Sequence, residues 1–181
     1  DVEINGAGII LTLDADITTS IRNVTLTTGT LDISAATLTM TGNLSGASTL
    51  TFASGRLNIG GDNTTTGTLN VGIGTFNYKG AGQTVRGATY YNLEIAGTGT
   101  KTLGGNTTIT NDLTIFSGQL ETANRAFSVN NGTTTIFTGG ELTASSTTGT
   151  KSLRNVILSG GSITSPAAVA ETFNITGTLL C

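Results

Sequence analysis

The sequence predicts an all-β chain wound as a parallel β-solenoid, and three observations predict it. An eight-residue phrase returns about every twenty residues, its apolar positions alternate with polar ones, and glycine recurs at one place inside it. A period of this length that holds strands but no helical spacing is one coil of a solenoid. A coil that small buries its apolar side chains only against its neighbours.

The phrase reads Val24 to Leu31 (VTLTTGTL), Leu50 to Leu57 (LTFASGRL) and Leu69 to Phe76 (LNVGIGTF). It returns at Leu113 to Leu120 (LTIFSGQL), Thr135 to Leu142 (TIFTGGEL) and Val156 to Ile163 (VILSGGSI), with weaker copies from Val2 and Leu93 and a shortened one from Phe173. The nine starts lie 17 to 26 residues apart, which predicts about nine coils. At about 4.8 Å per coil these make a rod roughly 40 Å long. Coil lengths this variable, with no strict hexapeptide, favour a right-handed helix over a left-handed triangular one.

Stacked as columns, the first position is Val2, Val24, Leu50, Leu69, Leu93, Leu113, Thr135, Val156 and Phe173. The third is Ile4, Leu26, Phe52, Val71, Ile95, Ile115, Phe137, Leu158 and Ile175, and the residues between are mostly polar. That alternation sends side chains in, out and in. The sixth position is Gly29, Gly55, Gly74, Gly118, Gly140 or Gly161, expected to turn a corner through positive φ. A second sheet then starts at Leu31, Leu57, Phe76, Leu120, Leu142 or Ile163.

The repeat runs from residue 2 to the end without a break in composition, so residues 1–181 are expected to form one domain. The chain reads as a mature protein or an excerpt of a longer repeat protein. Its only proline is Pro166. Hydrophobic residues make up 36% of the chain and fall in register, which separates it from a disordered polar tract. Only 10% of residues are charged and the net charge is −3, which argues against a nucleic-acid partner. Cys181 is the single thiol, so no internal disulfide can form, and its role is not legible. No apolar run reaches membrane-spanning length and no signal peptide is visible.

Tyr90 to Leu120 (YYNLEIAGTGTKTLGGNTTITNDLTIFSGQL) carries aromatic-Asn-Leu-x-Ile, then Gly-Thr-Lys-Thr-Leu, Asn-Thr-Thr-Ile and Asp-Leu-Thr-Ile with Gly-x-Leu. A partial echo follows at Gly149 to Leu153 and Val156 to Leu158. This stretch resembles the repeats of very large secreted surface proteins of Bacteroidota, gliding-motility adhesins among them. The resemblance is closest over the second half of the chain. It implies a β-helical stalk or adhesin exported to the cell surface, and it brings no catalytic residues.

Carbohydrate-cleaving β-helices place several carboxylates on neighbouring coils, so the acids need weighing. Glu3 and Glu94 share a column four coils apart, as do Asp32 and Glu121, too far for two carboxylates to work on one glycosidic bond. Asp14 and Asp16 are close, and Asp62 is expected to approach them only if the loops agree. The absence of His and of paired Cys removes most transition-metal sites. Gly60-Gly61-Asp62-Asn63 resembles a calcium nonapeptide without its tandem copy, and Gly97 to Thr102 lacks phosphate-loop spacing. No cofactor is expected.

Thr-x-Thr pairs raise ice binding, but Thr25-Leu26-Thr27, Thr49-Leu50-Thr51 and Thr98-Gly99-Thr100 fall in different columns. Six Asn-x-Ser/Thr sequons, at Asn23, Asn43, Asn63, Asn106, Asn131 and Asn174, are about as many as chance supplies. Tyr90, Tyr91 and Lys101 are the expected glycan contacts, within a loose strip that also holds Tyr78, Lys79, Arg86, Lys151 and Arg154. Taken together, the sequence reads as a non-enzymatic stalk or fibre segment of an extracellular cell-surface adhesin, stacked on neighbouring coils or on copies of itself. The alternatives are a glycan-binding face, a polysaccharide lyase or hydrolase, and, last, an ice-binding surface.

Overall fold

A computed structural model gives the fold of residues 1–165 and 172–181; Pro166 lies outside these residues. The described residues hold twenty-two strands and no helix, and the strand pairings are parallel, each strand lying on the strand one coil away. The chain is a β-solenoid with three faces around an apolar interior.

Face one is the most regular. Its strands are Ile17–Ile21, Thr37–Met40, Arg56–Ile59, Thr75–Tyr78, Asn92–Ile95 and Leu113–Ile115. They are followed by the later halves of Phe127–Phe137 and Lys151–Ser159, and by Leu179–Leu180. Register pairing joins Ile17, Leu38, Leu57, Phe76, Leu93, Leu113, Thr134, Val156 and Leu179 into one inward ladder of nine rungs, 17 to 23 residues apart. A second inward ladder runs beside it through Met40, Ile59, Tyr78, Ile95, Ile115 and Ile136, each wholly buried.

Face two starts with the early halves of Val2–Thr12 and Val24–Asp32 and with Leu44–Gly46. Beyond a gap it resumes as Gln83–Val85, Thr100–Leu103, Gly118–Glu121, Gly140–Thr143 and Ser162–Thr164. Face three takes the later halves of Val2–Thr12 and Val24–Asp32, then Thr49–Thr51 and Leu69–Asn70. It resumes with Thr89–Tyr90, Thr107–Ile109, the early halves of Phe127–Phe137 and Lys151–Ser159, and Phe173–Ile175.

The recurring phrase does not stay on one face, which corrects the expected columns. Val24 pairs with Leu44 on face two, Leu50 with Leu69 on face three, and Leu93 with Leu113 on face one. Leu57 and Phe76, expected to open a second sheet, lie in the same ladder as Leu93. Any two consecutive faces present the same apolar-corner-apolar pattern, so the phrase fits each corner and its copies slip by one face. The slip produces the 26-residue interval, which the true ladder does not contain. A smaller error falls at Thr135: Thr134 and Ile136 point inward, while Phe137 is 37% exposed.

The corner glycines divide into two kinds. Gly29 and Gly118 take positive φ, 93° and 73°, as expected. Gly55, Gly74, Gly140 and Gly161 do not, and are glycine for want of space. A Cβ on Gly140 would stand 2.7 Å from the carbonyl oxygen of Ile115 in the coil before. Another corner is held by side chains. Asp1, Asn23, Asn43 and Asp62 form a column in which each Oδ1 accepts the backbone N–H of Asn23, Asn43, Asp62 and Thr84 in turn, at 2.7–3.2 Å. Each side chain thus satisfies a backbone amide of the next coil, at a corner for the first three and within the strand Gln83–Val85 for Thr84.

Thr134 is the one polar member of the nine-rung ladder. It is completely buried and its hydroxyl has no hydrogen-bond partner. Denaturant midpoints test this interior. Ile136→Ala costs about 2–5 kcal/mol, Phe137→Ala costs less than half as much, and Thr134→Val gains about 1 kcal/mol by removing an unpaired hydroxyl at constant volume.

Candidate functional site

The inner ladder of face two changes character midway. It is apolar at Val2, Val24 and Leu44, polar at Asn63, Gln83 and Lys101, and apolar again at Leu120, Leu142 and Ile163. Asn63, Gln83 and Lys101 are all buried. The polar stretch begins where faces two and three each break into two separate sheets, so that only face one pairs across. We call this break the seam.

A buried hydrogen-bond network fills the seam. The Tyr78 and Tyr90 hydroxyls lie 3.1 Å apart, and both rings are wholly buried. The Tyr78 hydroxyl accepts from Asn63 Nδ2 at 3.3 Å and from the Arg86 backbone N–H at 3.2 Å, while Tyr90 Oη donates to the Arg86 carbonyl at 2.8 Å. Asn63 Oδ1 accepts from both the amide and the hydroxyl of Thr65, which also takes a 2.8 Å bond from Arg86 Nη1. Gln83 Nε2 donates to the carbonyls of Ile59, at 3.2 Å, and Gly61, while its Oε1 accepts from Gly80 N–H. The Ile59 carbonyl also accepts the Lys79 N–H at 3.0 Å, while the other backbone groups served here lie where the strand ladders break.

Aromatic packing adds the apolar half of the joint. Phe76 stacks on Tyr78 with centroids 5.3 Å apart, meets Tyr90 edge-on at 5.3 Å, and touches Phe52 at 5.8 Å. Outside, on face one, Arg56 reaches over an intervening coil to make a two-pronged ion pair with Glu94. Beneath it Asn77 donates to Asn58 and Asn58 to Thr39, an amide row along the rod.

The expected glycan strip does not form at the surface. Tyr90 and Lys101 occupy inward positions, paired with Ile109 and Leu120, and have no exposed surface. Tyr91 alone of the three expected contacts is partly exposed, edging a crevice too narrow for water. Lys101 Nζ instead donates to the Thr98 carbonyl at 2.7 Å, and burial pulls its pKa down. Lys79 and Arg154 are exposed, while Arg86 belongs to the seam and Lys151 is buried.

The carboxylates are also regrouped. Glu3 lies on face two and Glu94 on face one, and Asp32 and Glu121 are likewise on different faces. Asp14 and Asp16 border a shallow hollow of about 280 Å³ with Ser34, and Asp16 accepts the Thr37 N–H at 2.7 Å. Asp62 lies at another corner, so the three do not converge. Glu121, expected to share a column with Asp32, instead adjoins Glu141 diagonally on the outer side of face two, a pairing the sequence did not reveal. Both are engaged: Glu121 Oε1 accepts from Ala123 N, Ser145 N and Ser145 Oγ, and Glu141 accepts from Gln119 and Thr164. Among the described residues no three His, Cys, Asp or Glu side chains gather as a metal-ligand set.

Thr49 and Thr51 do continue a row on face three, but their neighbours in register include Asp32 and Asn70, which interrupt the hydroxyl array. Of the sequons, Asn63 is buried, and Asn23, Asn43 and Asn106 each accept a backbone N–H of the next coil at Oδ1. Asn131 and Asn174 are exposed. No protein-family model, curated protein or solved structure matches the chain.

This site binds its own backbone. Burial raises the pKa of Tyr78, with its hydrogen bond to Tyr90 working against the shift, and raises that of Tyr90 further because the neighbouring Tyr78 adds to the effect of burial. Each folded value lies above the unfolded one, so the stability they confer is complete below about pH 10 and is lost as pH rises beyond it. Alkaline titration followed by tyrosinate absorbance and circular dichroism should show these two phenols ionising only with loss of β structure. Tyr78→Phe/Tyr90→Phe should remove that coupling.

Proposed function

We propose that this chain is a rigid stalk or fibre segment of an extracellular cell-surface adhesin. The observation that carries the reading is the use made of its polar groups. Asp1, Asp16, Asp62, Asp112, Glu3, Glu94, Glu121 and Glu141 all bond to a residue of another coil. Side chains that could serve chemistry are committed to holding one coil on the next, and the product of that commitment is stiffness along an axis. The resemblance of Tyr90 to Leu120 to surface-adhesin repeats supports the same reading.

Ile9, Ile10 and Leu11 at the first coil and Leu179 and Leu180 at the last are exposed apolar residues. In this reading they are stacking surfaces for further coils or for end-to-end self-association. A lateral binding face is the second reading, and one observation favours it. Phe116 and Phe137 stack in parallel on the exterior, centroids 5.5 Å apart and planes at 3°, and are 44% and 37% exposed. Aromatic platforms of this kind accept apolar or sugar faces.

Antibody raised against the folded chain should label intact producing cells without permeabilisation. Labelling only after permeabilisation would refute the surface location. Small-angle scattering should show a rod whose length grows with concentration; a compact monomer at every concentration would refute the stacking.

A further inference from the structure

One tetrapeptide occurs twice: Thr98-Gly99-Thr100-Lys101 and Thr148-Gly149-Thr150-Lys151. The first copy turns the chain from face one to face two, the second from face two to face three. The local structure is nevertheless the same. Each glycine takes positive φ, 72° and 83°; each lysine is the first inward residue of its strand, with a leucine two residues on; and each Nζ donates 2.7 Å to the carbonyl of the tetrapeptide's first threonine. Both lysines are wholly buried, in a chain whose charged residues are scarce.

At the second copy the enclosure is fuller. Lys151 Nζ donates to the carbonyls of Thr148 at 2.7 Å, Gly149 at 2.9 Å and Ser146 at 3.2 Å. An ammonium has three N–H donors and no acceptor, and these three carbonyl oxygens are among the groups that meet it. Converging backbone carbonyls are also how proteins replace the hydration shell of a monovalent cation. At the first copy the space beside the ammonium is kept by glycine: a Cβ on Gly118 would stand 3.2 Å from Lys101 Nζ and 2.7 Å from the Gly97 carbonyl oxygen.

We propose that Thr-Gly-Thr-Lys is a cation-capped corner, in which backbone carbonyls form a site for a primary ammonium or small monovalent cation and the chain fills it with its own lysine. The site is latent while Lys151 is present. Its removal leaves three carbonyls aimed at an empty centre, to which an external cation of the same chemistry binds. This also explains why one short motif serves two different corners. In both places the lysine reaches back to the carbonyl of the motif's own first threonine.

The test is chemical rescue in the full chain. Lys151→Ala opens the centre, whereas Lys151→Met keeps the stem and blocks the space with a methyl group. Thermal midpoints are read by circular dichroism in methylammonium chloride and in tetramethylammonium chloride at equal concentration. Both variants should lose several degrees against the unsubstituted chain. Methylammonium should return most of that loss to Lys151→Ala and none to Lys151→Met, and tetramethylammonium should return none to either. Equal responses of the two variants, no distinction between the salts, or failure of Lys151→Ala to refold in methylammonium would each overturn the site.

Discussion

Parallel registration of each coil on the one before it is the constraint from which the other features follow. A coil of about twenty residues cannot bury an apolar side chain by itself, so every inward residue depends on a neighbour above and below. Face one meets this condition without interruption from Ile17 to Leu179, and its inward positions are apolar but for Thr134 and the Tyr78 hydroxyl. Faces two and three do not. Their sheets stop at the seam and restart, and face one alone carries strand pairing across.

Placing polar groups in the interior at that point follows from the same constraint. Where two sheets end, backbone N–H and C=O groups lose their strand partners, and buried groups left unpaired are costly. Gln83, Arg86, Asn63 and the two tyrosine hydroxyls supply the missing partners, and the rings of Phe52, Phe76, Tyr78 and Tyr90 fill the volume. The Arg56–Glu94 pair closes the outside of the same joint. The seam is therefore a splice between two stretches of solenoid, and its chemistry is directed inward.

Much of this architecture was legible in the sequence, and the limits have a physical origin. Alternation of apolar and polar residues gave parallel strands, a nine-coil estimate and the inward aspect of Leu26, Ile95 and Ile115, because side-chain period is local. The face on which a phrase lies is not local. Corners of similar composition join every pair of faces, so Leu50 and Leu93 looked equivalent although they belong to different ladders. The tyrosines misled for a related reason. A tyrosine beside lysine and arginine reads as a binding strip, and only the pairing of Tyr90 with Ile109 shows that it points inward. One missed signal was available: Asn or Asp stands immediately before the first inward residue at Val2, Val24, Leu44, Leu93, Leu113 and Val156. That position is where a side-chain oxygen meets the next coil's amide, on face two in the first coils and on face one in the later ones.

Cross-linking of outward residues on face one tests the register most directly. Thr114 and Thr135 are partners on adjacent coils, at a spacing of about 4.8 Å that suits a disulfide. Asn58 lies on the same face three coils from Thr114. In a Cys181→Ser background, mild oxidation should close a disulfide in Thr114→Cys/Thr135→Cys and none within monomers of Asn58→Cys/Thr114→Cys. An open first pair, or equal closure of both, would contradict the stacked ladder.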